Sequence, residues 1–163
     1  MYQPTEPQPT DMPDAGQRAP TFSGITQDGS RLKLTDLRGR YVALFFYPED
    51  DTPVCTREVC NLRDGYGRLL AAGVAVVGVS PDTSDSHAAF AGKFDLPFPL
   101  VADPKRKILD KYGVWGEKNM YGNIVMGVKR TTFLIDKKGV ILHVFRRPKV
   151  DEHADEILAH LGL

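Results

Sequence analysis

The sequence predicts an α/β three-layer sandwich with a mixed central sheet and an N-terminal β-hairpin extension. Three observations carry this. Tyr41-Val42-Ala43-Leu44-Phe45-Phe46-Tyr47 and the stretch from Val74 to Val79 are uninterrupted apolar runs of strand length, as strands buried on both faces require. Between them, Val59, Leu62, Tyr66, Leu69 and Leu70 recur at helical spacing over 55–72, so strand, helix and strand form a βαβ crossover with a parallel strand pair. After residue 130 the pattern changes to a hairpin, 131–135 and 140–145 around Lys137-Lys138-Gly139, followed by a helix over 151–161. Parallel strands first and a hairpin with a helix last give a mixed sheet covered by helices.

The remaining elements follow in order. Residues 1–15 are rich in proline and poor in apolar side chains and read as a flexible arm; 16–163 reads as one domain. Thr21 to Ile25 and Arg31 to Leu34 flank Gln27-Asp28-Gly29, a hairpin with an Asp-Gly turn. Leu34-Thr35-Asp36-Leu37 is a short helical turn, and Pro48 ends the first buried strand. Helices are expected over 83–94, capped by Asp82 or Thr83, and over 105–112, closed by Gly113.

Composition narrows the function. Lysine plus arginine equals aspartate plus glutamate at 21 each, so no net field draws the chain to nucleic acid or membrane. No apolar run reaches transmembrane length, and the N-terminus lacks the basic and apolar regions of a secretory signal, which makes a cytoplasmic location the expectation. The two cysteines, Cys55 and Cys60, are too few for a stapled secreted scaffold. No histidine lies near them in sequence to complete a zinc site; His87, His143, His153 and His160 read as surface or capping residues.

Chemistry concentrates in Tyr47-Pro48-Glu49-Asp50-Asp51-Thr52-Pro53-Val54-Cys55-Thr56-Arg57-Glu58-Val59-Cys60. A buried strand ends, a polar loop follows, and a helix begins near Cys55. A cysteine in a first helical turn faces unsatisfied N–H groups and the positive end of the macrodipole, both of which stabilise a thiolate. The Thr52 hydroxyl is placed to hydrogen-bond the sulfur or a bound oxygen. Residues five apart in an ideal helix point away from each other with Cα atoms ~8.7 Å apart, whereas a disulfide needs roughly 4.4–6.8 Å. If both cysteines are helical, they bond only after the first turns unwind. Glu49, Asp50 and Asp51 could form a hard-cation site, but a solvated loop is the simpler reading. Trp115 and Tyr121 sit in a polar, glycine-containing loop, where they either line an entrance or anchor the loop.

This segment resembles the peroxiredoxins, specifically the bacterioferritin-comigratory or peroxiredoxin Q group. Pro48, Thr52 and Cys55 match the family signature, Cys60 matches the group's added cysteine, and Phe46-Tyr47-Pro48 and Asp50-Asp51-Thr52-Pro53 agree as well. Asn119-Met120-Tyr121-Gly122, Met126-Gly127 and Arg130-Thr131-Thr132-Phe133-Leu134-Ile135-Asp136 resemble the pattern around the family's active-site arginine. The resemblance implies a thioredoxin-like fold and a peroxidase that reduces hydrogen peroxide or organic hydroperoxides without metal or organic cofactor. It implies Cys55 as peroxidatic cysteine, Cys60 as its resolving partner, and Thr52 and Arg130 as activators. Pro48 and Pro53 would shape the loop and shield the sulfur, and Glu58 would orient an arginine. Thioredoxin or glutaredoxin would be the reductant, and an intramolecular partner leaves a monomer chemically sufficient. Val54 departs from the pattern, where glycine is common. Two rivals are a thiol–disulfide oxidoreductase, which usually places its cysteines as Cys-x-x-Cys, and a redox-sensing interaction protein.

Overall fold

The computed structural model describes residues 11–163; residues 1–10, which hold most of the expected arm, lie outside the described residues. Strands β1 (Ser23–Thr26) and β2 (Arg31–Lys33) form the first hairpin, with Gly29 at φ +82° in its turn. A 3₁₀ turn, Leu34–Leu37, leads to β3 (Tyr41–Phe46). Helices α1 (Pro53–Asp64) and α2 (Tyr66–Ala71) then cross to β4 (Val74–Ser80), which lies parallel to β3 as the crossover predicts. Next come α3 (Ser84–Phe94), β5 (Leu100–Ala102), α4 (Lys107–Lys111), β6 (Trp115–Met120), β7 (Asn123–Val128), β8 (Thr131–Ile135), β9 (Ile141–Phe145) and α5 (His153–His160).

Seven strands form a mixed sheet in the order β2-β1-β5-β4-β3-β8-β9, with β3, β4 and β5 parallel and the remaining pairings antiparallel. Every residue of β4 is buried, because each face of the sheet carries its own core. On one face Val59, Leu62, Leu69, Phe90, Ile157 and Leu158 bring α1, α2, α3 and α5 onto Phe45, Val76 and Leu134. On the other, α4 and the 3₁₀ turn supply Ile108, Leu109 and Leu34 against Leu44, Phe46 and Val77. The packing tolerates no side chain at residue 78: a Cβ there would lie 2.6 Å from the Phe45 ring.

Three features differ from the sequence expectation. The helix expected over 55–72 begins two residues earlier, with Pro53 in its first turn, and is broken at Gly65. Glycine at this position has a packing reason, since a Cβ at residue 65 would meet the Ala154 Cβ at 2.5 Å. The short strand β5 lies between β1 and β4 and was not marked by any long apolar run. The polar loop holding Trp115 and Tyr121 is the antiparallel β6–β7 hairpin, turned by Tyr121 (φ +54°) and Gly122 (φ +87°). Trp115 anchors its base, packed on the core under the Arg106 guanidinium, while Tyr121 is 99% exposed at the tip.

Candidate active site

The chain leaves β3 through buried Tyr47 and half-buried Pro48 at the carboxyl end of the parallel strands, where open α/β sheets place their sites. Asp51 takes φ +59°, and extended Thr52 then caps α1, with Pro53 at the position where a missing N–H costs nothing. The first intrahelical bond runs from the Thr56 N–H to the Thr52 carbonyl at 2.8 Å. Cys55 is therefore the third residue of α1, ahead of the ladder, at the end where backbone N–H groups and the macrodipole favour negative charge.

Cys55 is 1% exposed, and its Sγ accepts a hydrogen bond from Arg130 Nη2 at 3.1 Å. The same guanidinium donates through Nη1 to Glu58 Oε1 at 2.7 Å. Glu58 lies one turn beyond Cys55 on α1, and Arg130 enters β8 beside β3, so a strand pairing and a helical turn bring the three groups together. Burial pushes the Glu58 carboxyl up to about 7, against the opposing pull of Arg130. Its Oε2 is buried without a hydrogen-bond partner among the described residues. Burial works against the charge on Arg130, but Glu58 and Cys55 beside it outweigh that and hold its pKa above the ordinary value.

The other predicted residues are placed as follows. Thr52 donates its hydroxyl to the Glu49 carbonyl at 2.9 Å, so its proton is engaged by the loop and not by the sulfur. Pro53 and Val54 are exposed on the first turn of α1. Cys60 is half-buried on the same helix, and both cysteines are free thiols.

Two sequence readings are corrected here. Asp50 is not part of a solvated loop; its side chain is 4% exposed and turned inward. It accepts from the Tyr47 hydroxyl at 2.6 Å and from Ser86 Oγ at 2.8 Å, and His87 Nδ1 lies 2.7 Å from it. His87 Nε2 lies 3.0 Å from the Val101 carbonyl, so both ring nitrogens face oxygen atoms. Burial first, and Asp50 second, push the Tyr47 hydroxyl well above its ordinary value. Asp82 ties in the loop backbone by accepting the Asp50 N–H at 2.8 Å, while Asp51 turns outward to Lys93.

The second correction concerns the histidines. His87 and His153 are fully buried, unlike exposed His160. His153 Nε2 is 2.7 Å from Thr132 Oγ1 and its Nδ1 is 3.1 Å from Glu156, and burial lowers its pKa against the pull of Glu156. The missed signal was helical spacing: His87 shares a face with Phe90 and Ala91, and His153 with Ile157.

The site is thus a cysteine at a helix start, hydrogen-bonded by a guanidinium that also donates to a buried carboxyl. Residues 15–144 match the AhpC/TSA family. A putative peroxiredoxin of Coxiella burnetii is 45% identical over 148 residues, spanning 91% of this chain and 98% of its own. The chain belongs to the peroxiredoxins, in the Bcp/Q group. A Xanthomonas campestris peroxiredoxin Q structure superposes with a TM-score of 0.84 at 35% identity, covering 92% of this chain and 98% of that one. A bacterioferritin comigratory protein from the same organism, described for its alkyl peroxide reduction activity, superposes at 0.83 with 35% identity over 91% of this chain and 98% of its own. The fold of this peroxiredoxin is accordingly thioredoxin-like, and it is a thiol peroxidase. Among its described residues no helix is long and apolar enough to cross a membrane.

Proposed function

We propose that this peroxiredoxin reduces hydrogen peroxide and organic hydroperoxides by a two-cysteine cycle. The Cys55 thiolate attacks one peroxide oxygen; the S–O bond forms, the O–O bond breaks, and the leaving oxygen takes a proton to become water or alcohol. Arg130 stabilises the negative charge, first on sulfur and then on the departing oxygen, and its fork geometry lets one guanidinium hold Cys55 and Glu58 together. Glu58 fixes the guanidinium plane. Thr52, Pro48 and Pro53 shape the loop around the peroxide.

Cys60 then attacks the Cys55 sulfenic acid, expelling water and closing an intramolecular disulfide. A dithiol protein, thioredoxin or glutaredoxin, reduces that disulfide and restores both thiols. The chemistry calls for no metal or organic cofactor and no second subunit, and it suits a reducing cytoplasm. We take 16–163 as the catalytic domain.

The observation that carries this reading is the Arg130 guanidinium 3.1 Å from Cys55 Sγ and 2.7 Å from Glu58. Intact mass after one equivalent of hydrogen peroxide tests it. The reduced protein is expected to lose two hydrogens, and both Cys55→Ser and Cys60→Ser to prevent this. An unchanged mass in the wild type would refute the cycle.

A further inference from the structure

Beyond the site itself, α1 is gripped by the start of α5. Asn61 donates Nδ2 to the Asp151 carbonyl at 2.7 Å and accepts the Ala154 N–H on Oδ1 at 2.9 Å. Glu152, at the cap position of α5, gives no side-chain cap bond, so Asn61 supplies from another helix a partner that a helix start otherwise lacks. Gly65 lets the two helices approach at the same place. One turn before Asn61, Arg57 holds the Asp151 carboxylate with a two-pronged contact, Nε to Oδ1 at 3.0 Å and Nη2 to Oδ2.

These contacts fall on opposite sides of Cys60. For the disulfide to close, the helix between the cysteines must give way, because its geometry holds their Cα atoms ~8.7 Å apart. Arg57 lies inside that span; Asn61 lies just outside it. Resting on the two-cysteine reading above, we infer that Asn61 positions Cys60 for the second half-reaction by holding it to α5 while Cys55 swings out to meet it. Arg57 and Asp151 form the latch that opens first. In that step the Cys60 thiolate attacks the Cys55 sulfenic sulfur, the S–S bond forms, the S–O bond breaks, and the departing hydroxide is protonated to water. No further oxidant is needed.

Amide hydrogen exchange by NMR on the reduced and peroxide-oxidised protein tests this directly. Oxidation is expected to expose the Thr56 amide, whose partner is the Thr52 carbonyl. The Gly65 and Ala154 amides, bonded to the Asn61 carbonyl and side chain, are expected to stay protected. Loss of protection at Gly65 and Ala154 alongside Thr56 would overturn the inference. Failure of the disulfide to form at all, read by mass, would instead overturn the cycle beneath it.

Kinetics give a second test with opposite signs. Arg57→Ala should speed disulfide closure about twofold, as loss of an exposed pair allows, while leaving sulfenic acid formation unchanged. Asn61→Ala should slow closure severalfold, again without slowing the peroxide step. Should that variant fail to fold, Asn61→Asp keeps the acceptor for Ala154, loses the donor to Asp151, and makes the same comparison. Changes of the same sign, or none, would overturn the inference.

Discussion

Two buried carboxyl groups, Asp50 in the loop before α1 and Glu58 on α1 itself, are built differently. Asp50 has partners on both oxygens: Tyr47 on one, Ser86 and His87 on the other. Glu58 has one oxygen on Arg130 and the other without a partner among the described residues, and it shares its cation with a sulfur. A satisfied buried network rigidifies; a half-satisfied one carries a cost that folding alone gives no reason to keep. On the proposed cycle, the difference separates scaffold from reactive machinery. Asp50 and His87 pin the loop between β3 and α1, whereas Glu58 and Arg130 are left with capacity to respond when charge on the sulfur changes.

The comparison can be broken or sharpened by substitution. The largest effect is expected from Cys55→Ser, which should abolish peroxide turnover without unfolding the protein; residual turnover in a coupled peroxidase assay would place the reactive thiol elsewhere. Next, His87→Ala removes the imidazole from Asp50 and from the Val101 carbonyl. It should destabilise the fold by about 3 kcal/mol, the scale of breaking a buried polar pair, as read by urea denaturation. A midpoint like the wild type's would mean the network is not a scaffold.

Glu58→Gln should show a pH effect. The folded carboxyl titrates at about 7, above its ordinary value of 4.5. The folded state therefore holds the proton more tightly than the unfolded state. The resulting stabilisation is full below pH 4.5 and is lost as pH rises through 7. The 2.5-unit difference corresponds to about 3 kcal/mol. Denaturation at pH 4.5 and pH 8 should show the wild type losing stability across that window and Glu58→Gln losing less; equal slopes would remove Glu58 as the titrating group. The smallest effect belongs to Lys93→Ala, which breaks the exposed partner of Asp51. It should change stability by less than about 1 kcal/mol, and a larger thermal shift would mean that this outward contact, too, holds the loop.

The fold was legible where burial is two-sided. Val42 to Phe46 and Val74 to Val79 could be read as strands because both faces of the sheet demand apolar side chains. The β6–β7 hairpin was not legible, because Ile124 and Met126 lie exposed on it and its turn is Tyr121-Gly122, not the Asn-Gly or Asp-Gly that marks such turns. The need for glycine at 65 depends on Ala154, nearly ninety positions away, and no local pattern encodes that approach. The site divides similarly. The segment from Pro48 to Cys60 has a local signature, but Arg130, 75 residues from Cys55, was tied to it only through the family resemblance. The Asp50–His87 pair, 37 residues apart, was missed, since a loop aspartate reads as solvated unless its distant partner is known.

The most direct test of the central claim is the single-turnover rate of the reduced protein with hydrogen peroxide, wild type against Arg130→Lys. Lysine keeps a positive charge but cannot fork between Cys55 and Glu58. The account predicts a folded variant slowed about 100-fold or more, the scale for losing a preorganised donor to a developing oxyanion. A variant as fast as the wild type would contradict it.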